Sequence, residues 1–175
     1  FTGSAITRID PELDFDWTSA SPSPAIPSDL YSSIWAGSLC APENGDYTLY
    51  IVAAGGVRLW LDGQLLVDVW SEPLAKERSA KVHLEAGHPA NMKIAFCQFG
   101  TMPRIRLDWS SSSMRRIPIP AVCLAAKGCY VDELLRWNER QGGAYVNRKS
   151  MPNPGAIDGS THFKGMPDWL EKATH

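Results

Sequence analysis

Histidine, cysteine and carboxylate side chains are the groups that could carry out catalysis, and their spacing in this chain nominates no familiar centre. The four histidines are His83, His88, His162 and His175. None lies in an H-E-x-x-H helix that would hold zinc. No G-x-S-x-G elbow presents a nucleophilic serine, and no G-x-x-x-x-G-K-S/T loop would cradle phosphate. Glycoside hydrolysis needs two carboxylates held about 5–10 Å apart. With 19 aspartates and glutamates, such pairs arise by chance and select no site. The expectation is a chain without catalytic activity of its own.

The four cysteines, Cys40, Cys97, Cys123 and Cys129, form no C-x-x-C pair, so neither a zinc ribbon nor a thioredoxin-type centre is indicated. Cys123 and Cys129 could close a small loop, and Cys40 and Cys97 both lie in strand-like text. Three pairings are open, and reduced, buried cysteines are an equal alternative.

Charge and length narrow the classes further. Seventeen basic against 19 acidic residues leave a net charge of −2, so no basic excess drives phosphate-backbone binding and no nucleic-acid partner is expected. The longest uncharged apolar run, 47–57, is too short to cross a bilayer, and no membrane insertion is expected. No basic-then-apolar leader opens the chain, which implies that any signal peptide is removed or lies outside it. At 44% hydrophobic over 175 residues, the chain can build a real core.

The elements that must position any site are β up to about residue 121. Short strands are expected over 6–10 and 13–17, then a proline-rich connection over 19–28 that has few free amides. Strand character resumes over 31–39, and 42–46 is a turn. The segment 46–52 runs through Ala53-Ala54-Gly55-Gly56 into Val57-Arg58-Leu59-Trp60-Leu61, where apolar residues alternate with period two. Asp62-Gly63 is the dipeptide of a type I′ hairpin, and 65–69 is its return strand. Strands follow over 81–84, 92–99 and 104–109. Many short strands with regular turns predict an antiparallel β-sandwich or barrel. Beyond that, 130–141 reads as a helix with acids in its first turn and arginines in its last. Residues 144–167 read as an extended wrapping segment and 169–173 as one helical turn. Tyr145, Phe163 and Trp169 imply a tail that docks.

An ordered series of motifs resembles the PA14 domain family over residues 1–124. It runs Phe1-Thr2-Gly3, Arg8-Ile9-Asp10 and Phe15-Asp16-Trp17, then Trp35-Ala36-Gly37-Ser38-Leu39, with Pro42, Gly45 and Tyr47-Thr48-Leu49. It continues through Gly56-Val57-Arg58-Leu59-Trp60-Leu61-Asp62-Gly63-Gln64-Leu65 and Trp70. It closes with Leu84-Glu85-Ala86-Gly87 and Ile105-Arg106-Leu107-Asp108-Trp109-Ser110. The resemblance implies a mostly β, PA14-like sandwich over 1–124, with 125–175 as a C-terminal helical and extended tail packed on it. Trp35 and Trp109 read as core or rim aromatics. Gly37 and Gly56 read as positions of close backbone approach or positive φ.

The resemblance also implies a module of a larger secreted or cell-surface protein such as an adhesin, toxin or multidomain enzyme. In the yeast adhesin branch, two consecutive aspartates hold a calcium ion that orients sugar hydroxyls. Ala54 and Gly55 stand at those positions here, so no metal and no cofactor is expected. The function implied is carbohydrate binding without calcium. Arg58, Asp68 and Trp70 near that loop, with Asp16 and Trp17 beside the proline-rich connection, are the candidate ligand-binding residues, because sugar faces stack on aromatics while Asp and Arg supply hydrogen bonds. The alternative is a protein-interaction or spacer module. Family members begin with a Gly-Leu-x-Ala-x-Tyr-Tyr strand ahead of the Phe1 position. Its absence implies an open sheet edge that the C-terminal tail or another chain would cover.

Overall fold

The computed structural model describes residues 6–129 except Ser19, Glu72, Pro73 and Thr101, together with Leu134, Arg136, Trp137 and Arg140. Alternating apolar residues commit each strand to one buried face, and two antiparallel five-stranded sheets result. The first contains β1 (Asp14–Asp16), β3 (Gly45–Ala54), β6 (Lys76–Leu84), β8 (Arg104–Ser111) and β9 (Ile117–Pro118), in the order β1-β8-β3-β6 with β9 also on β8. The second contains β2 (Ser32–Cys40), β4 (Gly56–Leu61), β5 (Gln64–Val69), β7 (Pro89–Cys97) and β10 (Leu124–Ala125), in the order β10-β2-β7-β4-β5. The two sheets are separate, so the architecture is a sandwich and not a closed barrel.

Between the sheets lie Leu49 and Ile51 of β3, Leu59 of β4, Ile94 and Phe96 of β7, and Ile105, Leu107 and Trp109 of β8, all fully buried. A second group of rings fills one end of the core. Trp17 lies at its centre, with its ring 5.0 Å from Phe15, 5.7 Å from Tyr31, 6.0 Å from Phe96 and 6.3 Å from Trp35.

The strand expected over 6–10 does not form. That segment is fastened by side chains instead. Trp35 Nε1 donates to Asp10 Oδ2 at 2.9 Å, and Arg8 donates to Asp10 Oδ1 at 2.8 Å and to the Pro22 carbonyl. The expected strand over 13–17 shortens to β1 because it pairs with β8 only across Asp14–Asp16. The short strands β9 and β10 carry no periodic signal and were not expected. At one edge of the second sheet β10 pairs with Leu39 and Ser38, while 32–37 of β2 pair only with β7 among the described residues. The close-approach reading of two glycines holds. A methyl on Gly37 would strike the Ala125 carbonyl, and one on Gly56 would lie 2.7 Å from the Trp70 carbonyl oxygen.

The helix expected over 130–141 lies mostly outside the described residues, and no complete α-helix falls within them. Leu134, one of the four described there, is fully buried in the core cluster. The segments 144–167 and 169–173 lie wholly outside the described residues. Cys129 is joined to Cys40, a pairing that only the third dimension selects, and the small loop from Cys123 to Cys129 is not closed. Cys97 and Cys123 remain thiols. Burial pushes the Cys123 thiol well above its ordinary pKa, so its nucleophilic thiolate is scarce. Iodoacetamide at neutral pH is therefore expected to modify half-buried Cys97 in the native protein and to spare Cys123. Peptide mapping that found Cys123 labelled first would contradict this placement.

Candidate functional site

The β4–β5 hairpin builds the site. Asp62 and Gly63 both take positive φ, 48° and 80°, which gives the two-residue type I′ turn that the dipeptide favours. A bulge between Leu59 and Trp60 then shifts the register, so that Arg58 faces Asp68 rather than Val67. Arg58 Nε donates to Asp68 Oδ1 at 2.8 Å. The same guanidinium lies 4.6 Å from the centre of the Trp70 ring. The structure thus brings together three of the five nominated residues. Trp70 is 39% exposed, and both charged side chains face solvent. An ion pair this open contributes little to stability. Its value lies in holding a planar fork of N–H donors, a carboxylate and an indole in fixed relation.

The other two candidates do not join them. Trp17 is 7% exposed at the centre of the aromatic group, and its backbone N–H donates to the Pro103 carbonyl. Packed among Phe15, Tyr31, Trp35 and Phe96, it belongs to the core rather than to the surface that carries the other three. Asp16 is exposed but engaged locally. It accepts from the Thr18 hydroxyl and the Thr18 backbone N–H, and these bonds hold its carboxyl below the ordinary range.

At the corner between β3 and β4, Ala54 and Gly55 are buried. Gly55 has φ 131°, and a methyl there would lie 2.6 Å from the Cys97 carbonyl oxygen. A calcium ion requires six to eight oxygen ligands. This corner supplies no carboxylate, and among the described residues no group of three or more His, Cys, Asp and Glu is placed to hold a metal. The residues present do not fit the ion.

A second feature is a shallow depression of about 450 Å³ on the outer face of the first sheet, lined by Asp46, Thr48, Lys81, His83 and Ser110. His83 Nδ1 lies 2.8 Å from Asp46 Oδ1 there. It lacks an open aromatic face and lies at the opposite end of the sandwich from Trp70.

Around Trp70 the surface changes character. The described parts of four connections lie at that end: those of 17–31, Gly55, 70–75 and 98–103. Five of the eight exposed large hydrophobic side chains among the described residues project from them: Leu30, Trp70, Leu74, Phe99 and Met102. Leu30 and Phe99 were missed by sequence reasoning. Phe99 lies at the end of a run that reads as strand, and nothing local marks Leu30 for its positive φ of 54°.

Comparison with known proteins agrees with the fold. The PA14 domain model matches residues 2–122. The anti-sigma-I factor RsgI3 of Acetivibrio thermocellus is 39% identical over 121 residues, covering 69% of this chain and 19% of that protein. A solved anti-sigma factor domain-containing protein from Clostridium clariflavum is 36% identical with a TM-score of 0.64, covering 68% of this chain and 40% of that one. This chain therefore spans less than half the length of either relative. The epithelial adhesin 9 A domain of Candida glabrata, solved in complex with Galb1-4GlcNAc, shares 9% identity and a TM-score of 0.54 over 65% of this chain and 66% of its own, a likeness of fold alone. With a family model matched across most of its length and the sandwich to go with it, this chain belongs to the PA14 domain family.

Proposed function

We propose that this chain is a non-catalytic, carbohydrate-recognising module of a larger surface protein, and that it holds glycan through Arg58, Asp68 and Trp70 without calcium. The observation that carries the reading is the Arg58–Asp68–Trp70 assembly. An exposed indole offers an apolar face for the C–H side of a sugar ring. Arg58 uses one of its five N–H donors on Asp68 and keeps others for hydroxyl oxygens, while Asp68 accepts hydroxyl protons. Ala54 and Gly55 remove the means of holding a cation, so direct side-chain contacts carry the affinity. The adhesin neighbour's sugar complex supports a glycan ligand on this fold. The anti-sigma factor relatives, of which this chain matches only a part, support a domain within a longer protein.

The test is a glycan array probed with the wild-type chain in calcium and in EDTA, beside Trp70→Ala and Arg58→Ala. Binding should survive EDTA. Trp70→Ala should weaken it at least tenfold, about 1.4 kcal/mol, with melting temperature unchanged. Calcium-dependent binding would defeat the mechanism. A second reading, a protein-interaction or spacer module, is favoured by the loss of the cation-holding side chains at Ala54 and Gly55. Silence across the array together with capture of a defined partner chain would select it.

A further inference from the structure

The end of the sandwich that carries Trp70 has a second aromatic platform. In the second sheet β4 lies between β5 and β7. Trp70 leaves β5 and Phe99 leaves β7, so their backbones emerge two strand spacings apart, about 10 Å. Both rings are 39% exposed. Between them passes the Gly55–Gly56 corner, where no side chain rises. In an extended glycan, alternate sugar units recur at about this spacing and can present similar faces.

Beside Phe99 the chain holds Leu30 in a conformation that leucine avoids. Its φ is 54°, a left-handed region that L side chains rarely adopt. It is nevertheless 81% exposed, so no packing accounts for that conformation. A buried glutamine imposes the geometry. Gln98, 4% exposed, accepts the Leu30 N–H on Oε1 at 2.6 Å and donates through Nε2 to the Gly100 carbonyl. Its own backbone N–H donates to the Tyr31 carbonyl at 2.9 Å. One side chain thus ties the connection before β2 to the connection after β7 and presents Leu30 and Phe99 side by side. Glycine or asparagine would satisfy the backbone at position 30. A leucine there serves something outside the fold.

The geometry points to a second sugar subsite at Phe99 and Leu30, braced by Gln98, which makes this a site for linear glycan chains of three or more units rather than for a terminal sugar. The inference rests on the glycan reading of Arg58, Asp68 and Trp70, and it extends that site. The polar fork lies at the Trp70 end only. Phe99, Leu30 and nearby Met102 are apolar, so the far subsite recognises the C–H faces of the chain and adds affinity with length.

The experiment uses an array of linear neutral and acidic oligosaccharides of two to eight units, with wild type, Phe99→Ala, Leu30→Gly and Leu30→Asn. Wild type should bind chains of three units and longer at least tenfold tighter than the matching disaccharide. Phe99→Ala and both Leu30 variants should lose that gain and keep disaccharide binding. Leu30→Gly and Leu30→Asn should melt at or above the wild-type temperature, because the backbone strain is relieved. A fold-maintenance role for leucine would move melting in the other direction. Equal affinity for short and long chains, or long-chain binding unaffected at positions 30 and 99, overturns the second subsite while leaving the Trp70 site intact. In that case the apolar end belongs to a protein contact. If no oligosaccharide of any length binds wild type, the glycan reading itself fails and this inference falls with it.

Discussion

Replacing Cys40 and Cys129 together by alanine is expected to destabilise the protein by about 4 kcal/mol, a large share of the roughly 5–15 kcal/mol that holds a domain folded. The two cysteines are 89 residues apart in sequence, so their bond closes a long loop and removes much of the freedom of the unfolded chain. Both are fully buried. The bond also fixes the chain where β10 leaves β2, next to the Gly128 N–H that donates to Ser38 Oγ at 3.0 Å. The double substitution isolates the cross-link, since a single one would leave a buried thiol behind. Urea unfolding followed by circular dichroism should show the midpoint fall and the m-value rise, because the freed unfolded chain exposes more surface. A loss below about 1 kcal/mol would mean that the cross-link is dispensable and that β10 and Leu134 hold this segment by packing alone.

Trp109→Ala should cost about 3–5 kcal/mol, the range for truncating a fully buried tryptophan. Trp109 is wholly inaccessible, and its ring lies 5.0 Å from that of Tyr47. Its strand β8 pairs with β3 through Leu49 and with β9 through Ile117, so the backbone around it cannot collapse into the space left behind. Trp109→Phe keeps most of the volume and should cost well under half as much. Chemical denaturation of both variants checks the pair of values. Equal losses for alanine and phenylalanine would show that shape rather than volume decides this position.

Local physics made much of this fold readable in advance. The β4–β5 hairpin is encoded within about fifteen residues, by alternation on either side of an Asp-Gly turn that tolerates positive φ. Arg58, Asp68 and Trp70 were nominated by their nearness in sequence to the Ala54–Gly55 loop, and the hairpin brings them together. The helix expected over 130–141 mostly lies outside the described residues, so its reading is neither supported nor displaced by the sheets. The strand expected over 6–10 failed for an identifiable reason. Its apolar residues, Ile6 and Ile9, do not alternate, Arg8 and Asp10 spend their polar groups on Pro22 and Trp35, and among the described residues no strand is opposite to complete a ladder.

The site shows where local information stopped. Trp17 lies in phase with apolar Leu13 and Phe15, and Trp70 in phase with Asp68, but these runs span only four or five residues and the nomination did not use that difference. Burial of Trp17 follows from Phe96, 79 positions away in the chain, and exposure of Trp70 from the edge position of β5. Even within the hairpin, a two-residue turn without a bulge would set Arg58 opposite Val67. The extra residue beside Leu59 makes the partner Asp68 instead.

The amino-acid sequence alone determined that the chain is a β body with a hairpin at its centre, because strand periodicity and turn chemistry act over a few residues. It also established that the chain carries no net basic excess, because charge needs only counting. Tertiary structure alone decided that Cys40 meets Cys129 and that Gln98 holds Leu30 out toward solvent next to Phe99. Those outcomes depend on which strands lie side by side, and contacts between segments tens of residues apart leave no periodic trace in either segment.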